Sequence, residues 1–424
     1  MTNQIIEHTP ERRLSDGLDY YKFPMGQQAF EKYPDADVTF TMKNRDSDYP
    51  LSKYVDTDEL EARLEAIQTL GFTDEEIGYL ESLETRLGTP RFSDDYLNYL
   101  SAIKMSEIAI SNDPQTGDLH IETTGKWPAV SLWETVVMSE VNELYYQNLM
   151  KDLGLNVEDV WKEGDRRLDE KIAKLQNTNV KFADFGTRRR FSAAWHSHVV
   201  ERLSKELPDN FIGTSNPWLA YKFDLTPIGT YAHEMPMAYA ALASKEGRNP
   251  LDGHTQMMQD WFDRYGVEGS IGLTDTFTSD FFFSDFTPEQ AAEWRGLRHD
   301  SGDPTEFGER VIQFYKERGI DPKTKTLIFS DGLDIDTILE LQETFEGRID
   351  ILFGWGTTLM NDLGLRPNNF VMKATSVNGE PTVKLSDVAG KHTGPADEVS
   401  RYADLAAARA AVERSFDSSM AVTA

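Results

Sequence analysis

The sequence predicts an α/β barrel of parallel strands set against a smaller domain of helices and antiparallel strands, on three observations. From about Val180 onward short apolar runs recur, each ending in a polar cluster and followed by helical patterning, the grammar of repeated strand–helix units. Before that stretch the strand-like runs alternate with a period of two, and after Arg366 the period of two returns. At 424 residues the chain also exceeds the usual size of a single core. The expected division is 1–145 for the mixed domain, 146–366 for the barrel, and 367–424 for a hairpin and helix that return to the first domain.

In chain order, SDGLDYYKFPMGQQAF at Ser15–Phe30 leads into a pattern able to open a helix, with Phe23-Pro24 delaying its start. The alternation in DVTFTM, Asp37 to Met42, predicts a half-buried strand, with Lys43 and Arg45 at its end. Thr73 and Glu76 stand at capping-box spacing ahead of Ile77 and Leu80, and Ser93 opens a second helix through Tyr96, Leu97 and Leu100. Two alternating runs between Glu107 and Thr123 flank NDPQTGD and predict a hairpin with a longer loop. Leu132 to Tyr146 reads as a long amphipathic helix. The barrel units then follow: KFADFGTRRR, FIGTSN, LTPIGTYAHE, GSIGLTDTFTSD, RGLRHDSGDP, TLIFSDGLD and ILFGWGTT. In NFVMKATSV, Asn378-Gly379 and EPTVKLS the dipeptide between alternating runs is a strong hairpin signal. A last helix covers ADLAAARAAVERSF.

Composition removes several chemistries. The chain has no cysteine, which excludes disulfides, thiolate nucleophiles and cysteine-ligated metals. Its 72 acidic against 43 basic residues give a formal charge of -29, which disfavours nonspecific binding to nucleic acid or anionic membranes. No stretch reaches the roughly 18 apolar residues of a membrane span, and MTNQIIEHTPERR lacks the apolar core of a secretory signal. The expected location is the cytoplasm.

Against that acidity, three consecutive arginines, Arg188, Arg189 and Arg190, mark the mouth of one predicted strand. Guanidinium forks match phosphate geometry, although a salt-bridged surface cluster would also account for them. FGWGTT offers a second phosphate signal, with Gly354 and Gly356 permitting close backbone approach and Thr357 and Thr358 supplying hydroxyls and amides. Asp275, Asp300 and Asp331 stand at strand ends, with Asp303 and Asp334 nearby; such acids either cap helices or hold Mg2+ and sugar hydroxyls. His233, read at a strand end with Asp275 on a later strand to orient it, is the candidate for nucleophilic or acid–base work. His196 and His198 lie two apart on a helical pattern and diverge by about 200°, which argues against chelation. In a barrel the C-terminal strand ends share one face, so these clusters converge and predict an enzyme.

Taken together, DFGTRRRFS, GTSN, TPIGTYAHE, GLRHDSGDP, FSDGLD and FGWGT in this order, within a span from DYYK at Asp19 to KLSD at Lys384, resemble the nicotinate phosphoribosyltransferases, type II phosphoribosyltransferases. The resemblance implies an irregular α/β barrel packed on an α+β sandwich domain formed by N- and C-terminal segments. It implies formation of nicotinate mononucleotide and pyrophosphate from nicotinate and 5-phosphoribosyl 1-pyrophosphate, a step of NAD salvage, with Mg2+, and with ATP as co-substrate hydrolysed through a phosphohistidine.

Residue by residue it makes Tyr21 and Phe185 the faces of a pyridine slot, Arg298 the holder of the nicotinate carboxylate with Ser215 beside it, and Arg188 a contact to the phosphoribosyl group. Asp300 and Asp331 would serve ribose or Mg2+, Gly356 and Thr357 the 5'-phosphate, His233 would be phosphorylated, and Asp275 would be its hydrogen-bonding partner. The DYYK segment often completes a neighbouring subunit's site in this family, which implies a homodimer. A neutral Ser215, where nicotinamide-using relatives place an acid, favours nicotinate. Nicotinamide or quinolinate phosphoribosyltransferase, or a non-catalytic phosphosugar-binding barrel, stand as the alternatives.

Overall fold

The computed structural model describes residues 12–46, 48–388 and 390–421, with side chains described as far as residue 411. The expectation placed on the N-terminal segment falls almost entirely outside the described residues. Within them, no helix is long and apolar enough to cross a membrane.

The strands, in chain order, are β1 (Asp37–Asn44), β2 (Ile108–Asn112), β3 (Leu119–Lys126), β4 (Phe182–Asp184), β5 (Phe211–Thr214), β6 (Ile271–Leu273), β7 (Gly296–His299), β8 (Thr326–Phe329), β9 (Asp350–Trp355), β10 (Phe370–Val377) and β11 (Glu380–Pro381). They form two sheets, one ordered β11-β10-β1-β3-β2 and the other β5-β4-β9-β8-β7-β6. Every pairing in the first is antiparallel and every pairing in the second is parallel. The mixed α/β class expected from the period change is therefore present, and the C-terminal hairpin joins the N-terminal sheet through β10 against β1.

Short-range chemistry sets the element ends. Thr73 and Glu76 make the reciprocal capping box, and Ser93 accepts from the Tyr96 amide. The long helix runs Trp133–Leu153, well beyond Tyr146, and ends at Gly154 in the left-handed region. Asn378 and Gly379 both have positive φ, as a tight primed turn demands. The run EPTVKLS does not continue as a strand: β11 stops at Pro381, whose ring nitrogen has no proton for the ladder, and the chain turns Lys384 toward the barrel.

The parallel sheet is short-stranded and buried, and its gap between β5 and β6 is spanned irregularly. Thr226–His233 carries no strand, contrary to the strand end expected for His233. Only an isolated bridge joins Thr214 to Pro227, and the Tyr231 hydroxyl accepts from the Leu273 amide of β6. Pro227 again limits pairing. Trp127, Trp133, Trp195, Trp261, Trp294 and Trp355 are among the largest fully buried side chains of the core; each buries roughly 150–250 Å².

Candidate active site

The polar residues that follow β4, β5, β7, β8 and β9 open on one cavity of about 390 Å³, roofed by residues of β10 and the end of β1. That size falls in the usual range for a small-molecule site. Tyr21, Phe185, Arg188, Ser215, His233, Arg298, Asp300, Asp331, Gly356 and Thr357 all line it. Asp275 lies just behind the wall, 1% exposed.

The DFGT turn is held from within. Asp184, fully buried, accepts from the Gly186 amide at 2.7 Å, from Thr214 Oγ1 at 2.6 Å, and from His196 Nε2 at 2.6 Å. His198 bonds separately to Asp165 at 2.7 Å, so the two histidines do not converge. Phe185 packs directly over Gly354, where an added Cβ would stand 2.3 Å from the ring. Of the three arginines, Arg188 and Arg189 face the cavity. Arg190 is buried away from it, donating to the Asp16 carbonyl at 2.6 Å. Arg189 donates to the Asn368 carbonyl at 2.8 Å.

Tyr21 precedes the helix Lys22–Lys32, which starts ahead of Phe23-Pro24 instead of being delayed by it, because Pro24 falls in the first turn, where an amide proton has no intrahelical partner to lose. Its hydroxyl accepts from Arg188 Nη1 at 3.0 Å. This segment lies on its own chain's Ser215: the Tyr20 amide donates to the Ser215 carbonyl, and Ser215 Oγ donates to Asp19 Oδ1 at 2.6 Å. The segment therefore stands against its own chain's cavity. Ser215 also does not present a free hydroxyl in a neutral setting. Burial raises the Asp19 carboxyl above its usual range, opposed chiefly by Arg188, whose Nη1 lies 3.5 Å away.

His233 caps the start of the helix Glu234–Lys245. Its Nδ1 lies 3.0 Å from Thr276 Oγ1, and its Nε2 lies 2.9 Å from Asp300 Oδ2. The expected partner, Asp275, is 3.6 Å from Nε2 at its nearest oxygen, beyond a hydrogen bond. Asp275 is engaged instead by Lys384 Nζ at 2.8 Å and by Ser301 Oγ at 2.7 Å. Lys384 Nζ also lies 3.1 Å from His233 Nε2. With the lysine donating to Asp275, the Nε2 proton goes to Asp300, and Nδ1 carries the lone pair. Burial, then Lys384, lower the His233 pKa against the pull of Asp275 and Asp300, so the imidazole is neutral at neutral pH. Burial would raise Asp300, but the bond from His233 and the charge of Arg298 hold it well below the carboxylate range.

His233, Asp275 and Asp300 are close enough together to suggest a metal site. The donor set does not fit one: Lys384 places an ammonium within hydrogen-bonding distance of both His233 Nε2 and Asp275. Asp300 and Asp331, both on the cavity wall, remain the carboxylates able to serve Mg2+. Asp303 and Asp334 are helix caps, accepting from the Glu306 and Thr337 amides at 2.8 Å each. Arg298 is anchored by a bond from Nη1 to Thr230 Oγ1.

Four basic residues of the cavity were not singled out as site residues by the sequence reading: Arg45, Lys373, Lys384 and Lys391. The signal was slight, since Arg45 only follows β1 and Lys373 takes an outward position in the alternation of NFVMKATSV. Burial, then Lys384 and Arg45, bring Lys373 down to about 7.

Comparison with known proteins places the chain in one family. The Nicotinate phosphoribosyltransferase (NAPRTase) family matches residues 180–418 and its N-terminal domain matches residues 18–142. The chain is 39% identical over 381 residues to the nicotinate phosphoribosyltransferases of Burkholderia mallei and Burkholderia pseudomallei, covering 88% of this chain and 91% of each relative. It superposes on the crystal structure of nicotinate phosphoribosyltransferase from Porphyromonas gingivalis with a TM-score of 0.84 at 31% identity, covering 93% of this chain and 99% of that one. The Vibrio cholerae structure of the same name gives 0.82 at 32% identity, covering 92% and 93%. The chain belongs to the nicotinate phosphoribosyltransferase family.

Proposed function

We propose that this chain joins nicotinate to 5-phosphoribosyl 1-pyrophosphate, giving nicotinate mononucleotide and pyrophosphate, and that ATP hydrolysis is coupled to the reaction through phosphorylation of His233. The observation that carries the reading is one cavity in which two aromatic faces, a ring of cations and a neutral, carboxylate-oriented histidine stand together. Tyr21 and Phe185 grip the flat ring by offset stacking, and Arg298 receives its carboxylate. Arg188 and the amide-bearing turn at Gly356 and Thr357 take the phosphoribosyl group.

The pyridine nitrogen lone pair forms the bond to C1 of the ribose as the C1–oxygen bond breaks, its electron pair leaving with pyrophosphate. Stacking holds the nitrogen in line with that carbon. The cations along the wall stabilise charge as it moves to the leaving group. Mg2+, which Asp300 and Asp331 would hold, supplies further neutralisation of the polyphosphate when bound. In the energy-coupling half, His233 Nδ1 attacks the terminal phosphorus of ATP and ADP departs. The Nε2 proton stays on the ring, and Asp300 stabilises the charge that develops there. Hydrolysis of the phosphohistidine returns phosphate and free imidazole.

The homodimer implied by the resemblance belongs to this reading, with Tyr21 and Arg188 meeting within each chain. The absence of cysteine and the acidic surface suit a cytoplasmic enzyme. The test is His233→Ala: ATP hydrolysis is lost while a slower, uncoupled transfer remains. Full ATPase activity in that variant would remove the phosphohistidine assignment.

A further inference from the structure

Lys22 ties the N-terminal part of the cavity wall to the loop bearing His233 from behind. It is 0% exposed, and its Nζ lies 2.6 Å from Glu134 Oε2 and 2.6 Å from Glu234 Oε2. Glu234 is the residue after His233, and its other oxygen accepts from Trp127 Nε1 at 2.6 Å. Glu134 comes from the helix Trp133–Leu153 of the N-terminal part and reaches the cavity wall. Lys22 itself follows Tyr21, and its ammonium stands 5.5 Å from the Tyr21 ring centroid and 5.4 Å from that of Phe40. Burial alone would discharge it, but Glu134 and Glu234 overcome that and hold it charged.

Two further contacts fasten the same segments. The Ala232 amide donates to Met25 Sδ at 3.2 Å. An added Cβ on Gly229 would stand 3.0 Å from the Tyr21 nitrogen, so the loop bearing His233 lies directly on the Tyr21 backbone. A movement of Tyr21 therefore reaches His233 by three routes, of which only the Lys22 ion pair carries charge. A buried pair of this kind is poor as a stabiliser compared with apolar packing, and its best-attested use is to fix one arrangement over others.

We propose that Lys22, acting through Glu234, is a positioning residue that couples the pyridine slot to His233, so that occupancy of the slot and phosphorylation of the histidine bias one another. The inference rests on the function proposed above. A phosphoryl group on His233 adds negative charge one residue from Glu234, whose carboxylate already shares a single ammonium with Glu134. The resulting strain falls on the residue joined to Tyr21, and by reciprocity a ring stacked on Tyr21 changes the ease of phosphorylation.

The experiment measures the equilibrium level of phosphohistidine at fixed ATP and ADP with and without saturating nicotinate, in wild type, Glu234→Gln and Lys22→Arg. Nicotinate is expected to change the wild-type equilibrium constant for phosphorylation by about fivefold or more, the lower range of ordinary coupling between sites. In the variants the ratio falls toward one. Glu234→Gln keeps shape and a carbonyl for Trp127, so it decides the matter if Lys22→Arg does not fold. A merely structural role would lower the melting temperature and leave the ratio at its wild-type value; that result overturns the inference. So does a wild-type ratio of one, with His233 still phosphorylated and the function intact. No phosphate on His233 of the wild type would instead overturn the proposed function, and the inference with it.

Discussion

Replacing Asp300 by Asn separates the orienting carboxylate shown by the geometry from the one expected on sequence. Asp300 Oδ2 lies 2.9 Å from His233 Nε2, whereas Asp275 stands 3.6 Å away and is occupied by Lys384 and Ser301. A hydrogen bond to a charged group contributes about 1.5–3 kcal/mol. If that contribution is made as charge develops on the ring, its loss slows phosphorylation by about one to two orders of magnitude, each 1.36 kcal/mol being tenfold. The assay is a single turnover with labelled ATP in the absence of the phosphoribosyl substrate, reading acid-labile phosphate on the protein. This keeps any role of Asp300 toward ribose out of the measurement. The pH profile supplies a second signature. The His233 pKa is already lowered, so phosphorylation persists below the ordinary histidine range and is lost only as pH falls through the depressed value. Asp300 acts to raise that pKa, so in Asp300→Asn the acid limb moves to still lower pH while the plateau drops. An unchanged plateau in Asp300→Asn, with loss of phosphorylation in Asp275→Asn, would refute the reasoning and restore Asp275 as the partner.

Two other predictions concern the anion-binding wall. Ser215→Asp sets a second carboxylate against Asp19, where a hydroxyl now donates at 2.6 Å. Two unit charges about 3 Å apart repel by about 5 kcal/mol at an effective dielectric of about 20, so the pair keeps at most one charge and the remaining anion repels nicotinate. The kcat/KM for nicotinate is expected to fall by about tenfold or more; an unchanged value would remove Ser215 from the specificity argument. Lys373, brought down to about 7, is mostly neutral at pH 8 in the free protein. A polyphosphate favours its charged form and raises the pKa, so binding of 5-phosphoribosyl 1-pyrophosphate takes up close to one proton at pH 8 and far less below pH 6. Calorimetry in buffers of different ionisation enthalpy measures the uptake, and Lys373→Met abolishes it. No uptake at pH 8 would contradict the account of that lysine.

How much was legible in the sequence follows from which interactions are local. The capping box at Thr73, the Asn378-Gly379 turn and the strand beginning at Asp37 depend on neighbours a few residues away, and periodicity or turn chemistry reveals them. The gathering of strand-end clusters on one cavity was legible because parallel strands share a C-terminal face. What was misread depends on distant partners. The His233 segment looks like a strand by its apolar content, yet Pro227 and an irregular crossing leave it a loop. Asp275 and Asp300 are equally good acids in the sequence, and only the intrusion of Lys384, 151 residues from His233, decides between them. Lys373 was passed over because a lysine in an alternating strand ordinarily faces solvent, and here that face covers the cavity. The expectation that DYYK reaches a neighbouring chain came from resemblance, not from local pattern; within the chain the Tyr20 amide bonds to Ser215.

The most direct test of the central claim is release of pyrophosphate on mixing the protein with 5-phosphoribosyl 1-pyrophosphate, Mg2+, ATP and one pyridine compound at a time. Release is predicted with nicotinate, together with nicotinate mononucleotide and phosphate on His233, and not with nicotinamide or quinolinate. Ligand binding without release, or release with nicotinamide or quinolinate in place of nicotinate, would contradict it.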